Sequence, residues 1–304
     1  MFEKNAALFL YSVSPVHMGA GTATGVIDNP IQREVHTQHP SFAGSGLKGA
    51  IRHGFKALGG NPDQADQLFG PRQGDLHAGA VSLGDAQLVA LPVRTRREGY
   101  AYATSPLALA RLQRLLHQAG LQPEWTVPTL PQGEAARAPA AVTPEGLEAL
   151  TADGGRLHLE VFELAAQAEP GVAAIGQWLA EHALSKDHGE YFRNKLARDL
   201  VILPETELNY FSRNAMVVEP HVRIDPKTGT ADGSGLFYTE NLPPESLLAA
   251  PVMASGDRSG ERELDSAAVM AQLHTALDGN TLQIGGDATT GRGLVTARLV
   301  EKVS

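Results

Sequence analysis

Cysteine is absent from this 304-residue chain, which excludes a disulfide framework and a zinc ribbon; a reducing, cytoplasmic setting fits that composition. Membrane-length apolar runs are missing from the N-terminal region. Ala6 to Val16 covers about eleven residues, too few to cross a bilayer, and nothing before it reads as a signal peptide. No membrane partner is expected. Positive charge is in deficit as well: 34 acidic residues against 25 Lys and Arg give a net charge of −9. A general nucleic-acid binder is usually basic, so binding to RNA requires the cations to gather on one face. Nucleotide-binding loops of the form G-x-x-x-x-G-K-[ST] or G-x-G-x-x-G do not occur. No Ser/His/Asp or His-rich metal constellation appears at a recognised spacing. Tandem repeats are absent too.

What is present is a composition with 42% hydrophobic residues, enough for a buried core and too apolar for disorder. The informative stretch runs from Pro15 to Lys56. A strand-like segment, Ala6 to Val16, ends in a long loop with Gly19, Gly21 and Gly25 and one carboxylate, Asp28. The turn Gly44-Ser45-Gly46 then opens a helix predicted over 45–58, with Ser45 as N-cap and Gly59-Gly60 as its stop. Lys48 and Arg52 share one face of that helix. Glycine turns and a helix N-terminus let peptide N–H groups approach an anion, so this stretch can cradle a phosphate chain with one acid beside it.

Further along, Pro106 to Ala119 carries an apolar stripe (Leu107, Leu109, Leu112, Leu115, Leu116) that predicts a helix facing the core. Residues 121–153 are rich in Pro, Ala, Gly and Glu, and an irregular insertion is expected there. Gly155 to Ala166 reads as one strand. Residues 219–242 predict a protruding hairpin, with turn residues from Pro226 to Gly235. Thr281 to Val300 predicts strand, glycine turn and strand. Irregularly interspersed strands and helices favour an α+β class.

Several of these blocks resemble one family. VHMGAG, VIDNPIQRE, HTQHP and GSGLKGAIR in the N-terminal stretch, LGDAQLVALPVR with YAYATSPLALARL, VRIDPKTGTADGSGLFYTENLP, and IGGDATTGRGLV near the C-terminus are similar to the signatures of the RAMP superfamily of CRISPR proteins. Within it they most resemble the repeated backbone subunit of the type III-B (Cmr) effector complex. The resemblance implies a single RAMP domain over 1–304, a modified RNA-recognition-motif (ferredoxin-like) palm with finger and thumb-hairpin insertions. Its implied partners are CRISPR RNA, target RNA, further copies of itself and the other Cmr subunits. Its implied activity is metal-dependent cleavage of guide-paired RNA at regular intervals, with a divalent ion, Mg or Mn, as cofactor. A non-cutting RNA-scaffold member and the sibling type III-A (Csm) backbone subunit are the alternatives.

The resemblance assigns cleavage to Asp28, whose carboxylate either binds the metal or orients the 2′-hydroxyl. On residues alone, Asp28 also suits a turn before Asn29-Pro30. His17, at a strand end, is a general acid–base or phosphate-donor candidate as well as a structural one. Glu240 matches the family's acidic position beyond the hairpin, and a solvated surface glutamate is the competing reading. Gly44, Ser45, Lys48, Arg52, Arg223 and Arg292 are the RNA-contact candidates. Arg94, Arg96 and Arg97, and Arg193, Lys195 and Arg198, are further local gatherings of cations.

Overall fold

The strand Lys4–Ser12 is apolar at every position from Ala6 to Tyr11, and each of these side chains is buried. Side chains alternate across a strand: Ala6, Leu8 and Leu10 join one core cluster, and Ala7, Phe9 and Tyr11 the other. A strand apolar on both faces belongs between two layers. The computed structural model, which describes residues 2–73, 77–130, 137–152, 155–260 and 264–302, places it there.

The chain forms a large mixed sheet. Its order is Thr281–Gln283, Leu294–Val300, Lys4–Ser12, Leu247–Ala254, Ala86–Arg94, Tyr100–Thr104, Leu200–Ile202, Pro139–Val142, Phe162–Ala168, Arg156–Leu159 and Thr151–Ala152. Leu200–Ile202 runs parallel to Tyr100–Thr104, and Pro139–Val142 parallel to Phe162–Ala168. Just past Arg94, Thr95 bridges Leu159, so the far strands curl back toward the middle of the sheet. The helices, among the described residues, are α1 (Gly44–Gly54), α2 (Pro62–Phe69), α3 (Pro106–Gln118), α4 (Pro144–Leu150), α5 (Pro170–His182), α6 (Gly189–Arg198), α7 (Glu205–Asn214) and α8 (Ser266–Leu277). Side chains of α1, α2, α7 and α8 fill one core cluster; those of α3, α5 and α6 fill the other. No helix of the described residues is long and apolar enough to cross a membrane.

Outside the sheet stands a two-stranded antiparallel hairpin, Val217–Ile224 with Ala231–Asn241. Its turn closes through Asp225 and Thr230, whose N–H and C=O meet at 2.9 Å. The hairpin expected from sequence therefore forms, with longer strands than the turn-rich composition suggested.

Three local expectations are corrected. Residues 121–153 are not irregular throughout: Pro139–Val142 is an internal sheet strand followed by α4, with Thr143 capping through the Gly146 N–H. Short alanine-rich segments carry little strand propensity, and here burial between neighbours decides; residues 131–136 and 153 lie outside the described residues. Gly155 to Ala166 is a hairpin, Arg156–Leu159 with Phe162–Ala168, turned at Glu160 with φ 49°. In α3 the buried stripe is Leu109, Leu112, Leu115 and Leu116, whereas Leu107 is exposed in the first turn.

The cations of α6 are not a surface patch. Lys195 is 4% exposed; its Nζ donates to Asp199 at 2.7 Å and to the Glu98 carbonyl at 3.1 Å. Arg198 closes on the same carboxylate, at 2.7 Å through Nε. Removing one member of a buried pair strands the other charge. Asp199→Ala is thus expected to lower stability by about 3–5 kcal/mol, read as the shift in a urea unfolding curve at constant m-value.

Candidate functional site

The outer edge of the hairpin strand Ala231–Asn241 offers a row of peptide groups, and the N-terminal loop satisfies them in sequence. Tyr238 N–H donates to Asp28 Oδ2 at 2.8 Å. Tyr238 C=O accepts from Asn29 N–H at 3.1 Å, and Glu240 N–H donates to the Asn29 carbonyl at 3.0 Å. The Glu240 carbonyl accepts from His17 Nδ1 at 2.7 Å. Leu242 and Val16 then exchange N–H···O bonds at 2.9 and 3.0 Å. Asp28 and His17, far apart on the first loop, are thus anchored two residues apart on one strand edge, which is roughly 7 Å of chain.

Asp28 is partly exposed, and its Oδ1 accepts no hydrogen bond among the described residues. The bond at Nδ1 fixes the neutral His17 ring as the tautomer that donates there, leaving Nε2 as an acceptor beside Gly19. The glycine turn from Ile284 to Gly293 supports this strand end: Gly286 N–H donates to the His17 carbonyl at 3.0 Å and Gly293 N–H to the Pro15 carbonyl at 2.8 Å. Gly285 has φ +85°, and a Cβ there would lie 2.3 Å from the His17 carbonyl oxygen.

Glu240, read from sequence as a surface acid or a second catalytic group, is 3% exposed. Its Oε1 pairs with Arg33 Nη2, and its Oε2 accepts from Ile31 N–H at 3.0 Å. The long loop is accordingly held and not loose. Gly19 bridges Ile31 and Asn29 bridges Thr239; Gln32 reaches Gly19 O at 3.1 Å and accepts from Ala43 N–H at 2.9 Å; Glu34 pairs with Arg111 of α3 at 2.7 Å. The run Gln32-Arg33-Glu34 is a set of three anchors, each with a partner on another part of the chain.

Through Gln32 the loop is tied to the residue preceding α1. Ser45 is not the N-cap of that helix: Ala43 holds the cap position without a side-chain bond, and Asp85 Oδ1 accepts from Gly44 N–H at 2.7 Å. One amide expected to face an anion is therefore taken by a carboxylate of the chain. Gly44, Ser45, Lys48 and Arg52 do come together, lining a cavity of about 600 Å3 with His77 and Arg258. Lys48 Nζ donates to the Val81 carbonyl at 3.1 Å, and Arg52 pairs with Asp66 at 2.6 Å while binding the Gly70 carbonyl. Burial, and next the Arg52 guanidinium, hold the Lys48 ammonium below the ordinary lysine value. Arg223 is exposed on the hairpin, away from this cavity's lining. Arg292 is engaged: its Nη2 contacts both oxygens of Glu219, at the hairpin base, at 2.5 and 2.6 Å.

Among the described residues no group of three His, Cys, Asp or Glu side chains could hold a metal ion. Asp28 alone provides one free carboxylate oxygen. That suits a hydrated Mg or Mn ion that draws its other ligands from water and phosphate, not an all-protein cage.

The chain matches the model of the RAMP superfamily over residues 9–296. It is 31% identical over 297 residues to a CRISPR system Cmr endoribonuclease, Cmr4, of Pyrococcus furiosus, covering 96% of this chain and 94% of that protein. The crystal structure of oligomeric Cmr4 from Pyrococcus furiosus superposes with a TM-score of 0.74 at 27% identity, covering 99% of each chain. A chain of the type III-B Cmr-beta complex bound to cognate target RNA shares the fold at TM-score 0.71 and 17% identity, covering 98% of each.

Gly285→Ala is expected to destabilise the protein by roughly 1–3 kcal/mol from the left-handed backbone alone, with the contact at His17 adding to it. Chemical denaturation checks the loss, and Gly291→Ala, with φ +81° and open space at the Cβ, isolates the backbone contribution.

Proposed function

Since the chain belongs to the RAMP superfamily, we propose that it is the repeated backbone subunit of a type III-B CRISPR effector, binding CRISPR RNA and cutting the paired target RNA at regular intervals. The single observation carrying this reading is the strand edge that sets Asp28 beside His17, each with one functional atom left free. Sequence specificity would come from guide pairing, so the protein needs only to grip backbone. The sheet is the palm of a modified RNA-recognition-motif core in a single RAMP domain. Pro139–Val142 belongs to the palm sheet, and the hairpin around 219–242 is the thumb. Further copies of the chain and other Cmr subunits are its partners in the cytoplasm, as the oligomeric relative and the RNA-bound complex suggest.

In the cleavage reaction the 2′-hydroxyl of the target attacks the adjacent phosphate to form a 2′,3′-cyclic phosphate, and the bond to the 5′-oxygen breaks as that oxygen takes a proton from water. His17 Nε2 takes the hydroxyl proton or, when protonated, donates to a phosphate oxygen. Asp28 Oδ1 is the open carboxylate oxygen that either orients the hydroxyl or holds a divalent ion; such an ion, Mg or Mn, would supply charge neutralisation at the phosphate. Ser45, Lys48 and Arg52 receive guide phosphates in the α1 cavity, which Gly44 lines with its amide already bound to Asp85; Arg223 meets RNA from the hairpin, and Arg292 holds the hairpin against the glycine turn.

Asp28→Ala is expected to abolish cutting of complementary RNA while assembly on guide RNA persists; regularly spaced products from the variant would overturn the assignment, and intact RNA with the wild type would favour a scaffold. Chelation should remove the wild-type products. A second expectation concerns Lys48. A depressed lysine pKa means that folding disfavours the charged form, a penalty present at neutral pH and relieved as pH rises through the lysine range. Lys48→Met should therefore raise the unfolding midpoint yet weaken RNA binding, flattening the slope of log Kd against log salt by about one unit.

A further inference from the structure

Arg33 occupies the centre of the anchored loop and reaches three elements at once. Its Nη2 pairs with Glu240 on the hairpin, and its Nη1 donates to the Gln38 carbonyl at 2.9 Å and to the Ser212 carbonyl in α7. Glu240 answers from the hairpin with every group it has. Its carboxylate takes Arg33 and Ile31 N–H, its own N–H meets the Asn29 carbonyl, and its carbonyl receives His17 Nδ1. One glutamate thus touches Asn29, next in the chain to Asp28, and the ring of His17.

We propose that Arg33 and Glu240 are positioning residues for cleavage, a largely buried ion pair that locks the loop bearing Asp28 onto the hairpin edge that anchors His17. The proposal rests on the nuclease reading above. Glu240 contacts no substrate: at 3% exposure, with both oxygens turned to partners inside the protein, its carboxylate is closed off from RNA. A buried carboxylate without a cation would be strongly disfavoured, and Arg33 supplies that cation. The guanidinium fork also spans partners in fixed directions, which a lysine's single flexible ammonium cannot reproduce. Misplacement of a reacting group by about 1 Å can lower a rate about a hundredfold, so the pair acts on the chemical step without touching it.

The test uses the chain assembled on guide RNA, with single-turnover cleavage of complementary RNA measured across pH. Arg33→Ala strands a buried charge and can unfold the chain, so Arg33→Lys, Glu240→Gln and the double variant Arg33→Met with Glu240→Gln are used, each checked for assembly. All three should bind target RNA as the wild type does and cut more slowly, up to about a hundredfold, with pH–rate profiles displaced downward but unchanged in shape. Loss of one limb of the profile in Glu240→Gln would overturn the proposal, making Glu240 a proton-transfer group. Wild-type rates in Arg33→Lys and in the double variant would also overturn it, reducing the pair to a stability element. Wild-type and Asp28→Ala controls run alongside. If the wild type leaves RNA intact, or Asp28→Ala cuts normally, it is the nuclease reading that fails, and the positioning role falls with it.

Discussion

Main-chain pairing along one hairpin edge governs the arrangement of this molecule's working end. A strand standing apart from the sheet exposes N–H and C=O groups that need partners. Here Tyr238, Glu240 and Leu242 find them in the loop after the first strand. Because alternate residues on a strand present their peptide groups to the same side, the edge works as a ruler. It sets Asn29 between a carboxylate and an imidazole that the chain keeps separate. Two other contacts back this up from beneath: Arg33 to Glu240 inside the loop, and Arg292 to Glu219 at the hairpin base. The sheet contributes by fixing where the first strand ends, and the glycine turn clamps that end.

The acidic balance of the chain makes sense beside these contacts. The cations near the site are mostly spoken for: Arg33 by Glu240, Arg52 by Asp66, Arg292 by Glu219 and Arg111 by Glu34. Each pairing orients a guanidinium but also tempers its field. Lys48, which bonds only a carbonyl, sits partly buried in the cavity at a depressed pKa.

Much of the fold was readable because period and punctuation agreed. The two-faced apolar run of the first strand, the leucine stripe of α3 and the turn residues of the hairpin each announce their element. Asn61-Pro62 with Gln64, a capping box with proline at the helix start, signals α2 equally well. Pro139–Val142 gave no such cue, since four small residues become a strand only through neighbours distant in sequence. The site divides in the same way. Asp28 and His17 stand out from the motif in which they lie. The fate of Glu240 does not, because nothing local to that residue says that Arg33, 207 residues earlier, will bury it. Nor could the sequence reveal that Asp85 occupies the amide of Gly44. Long-range polar pairing is invisible to spacing rules, and it is what separated the exposed candidates from the enclosed ones.

The hairpin's attachment has one more implication. Asp28 takes its bearing from the backbone of a two-stranded arm, not from the rigid sheet, while His17 is gripped by both that arm and the glycine turn. A swing of the arm about its base would load the Asp28–Tyr238 and His17–Glu240 bonds together, so a force applied at the hairpin tip is felt as a lever at both side chains.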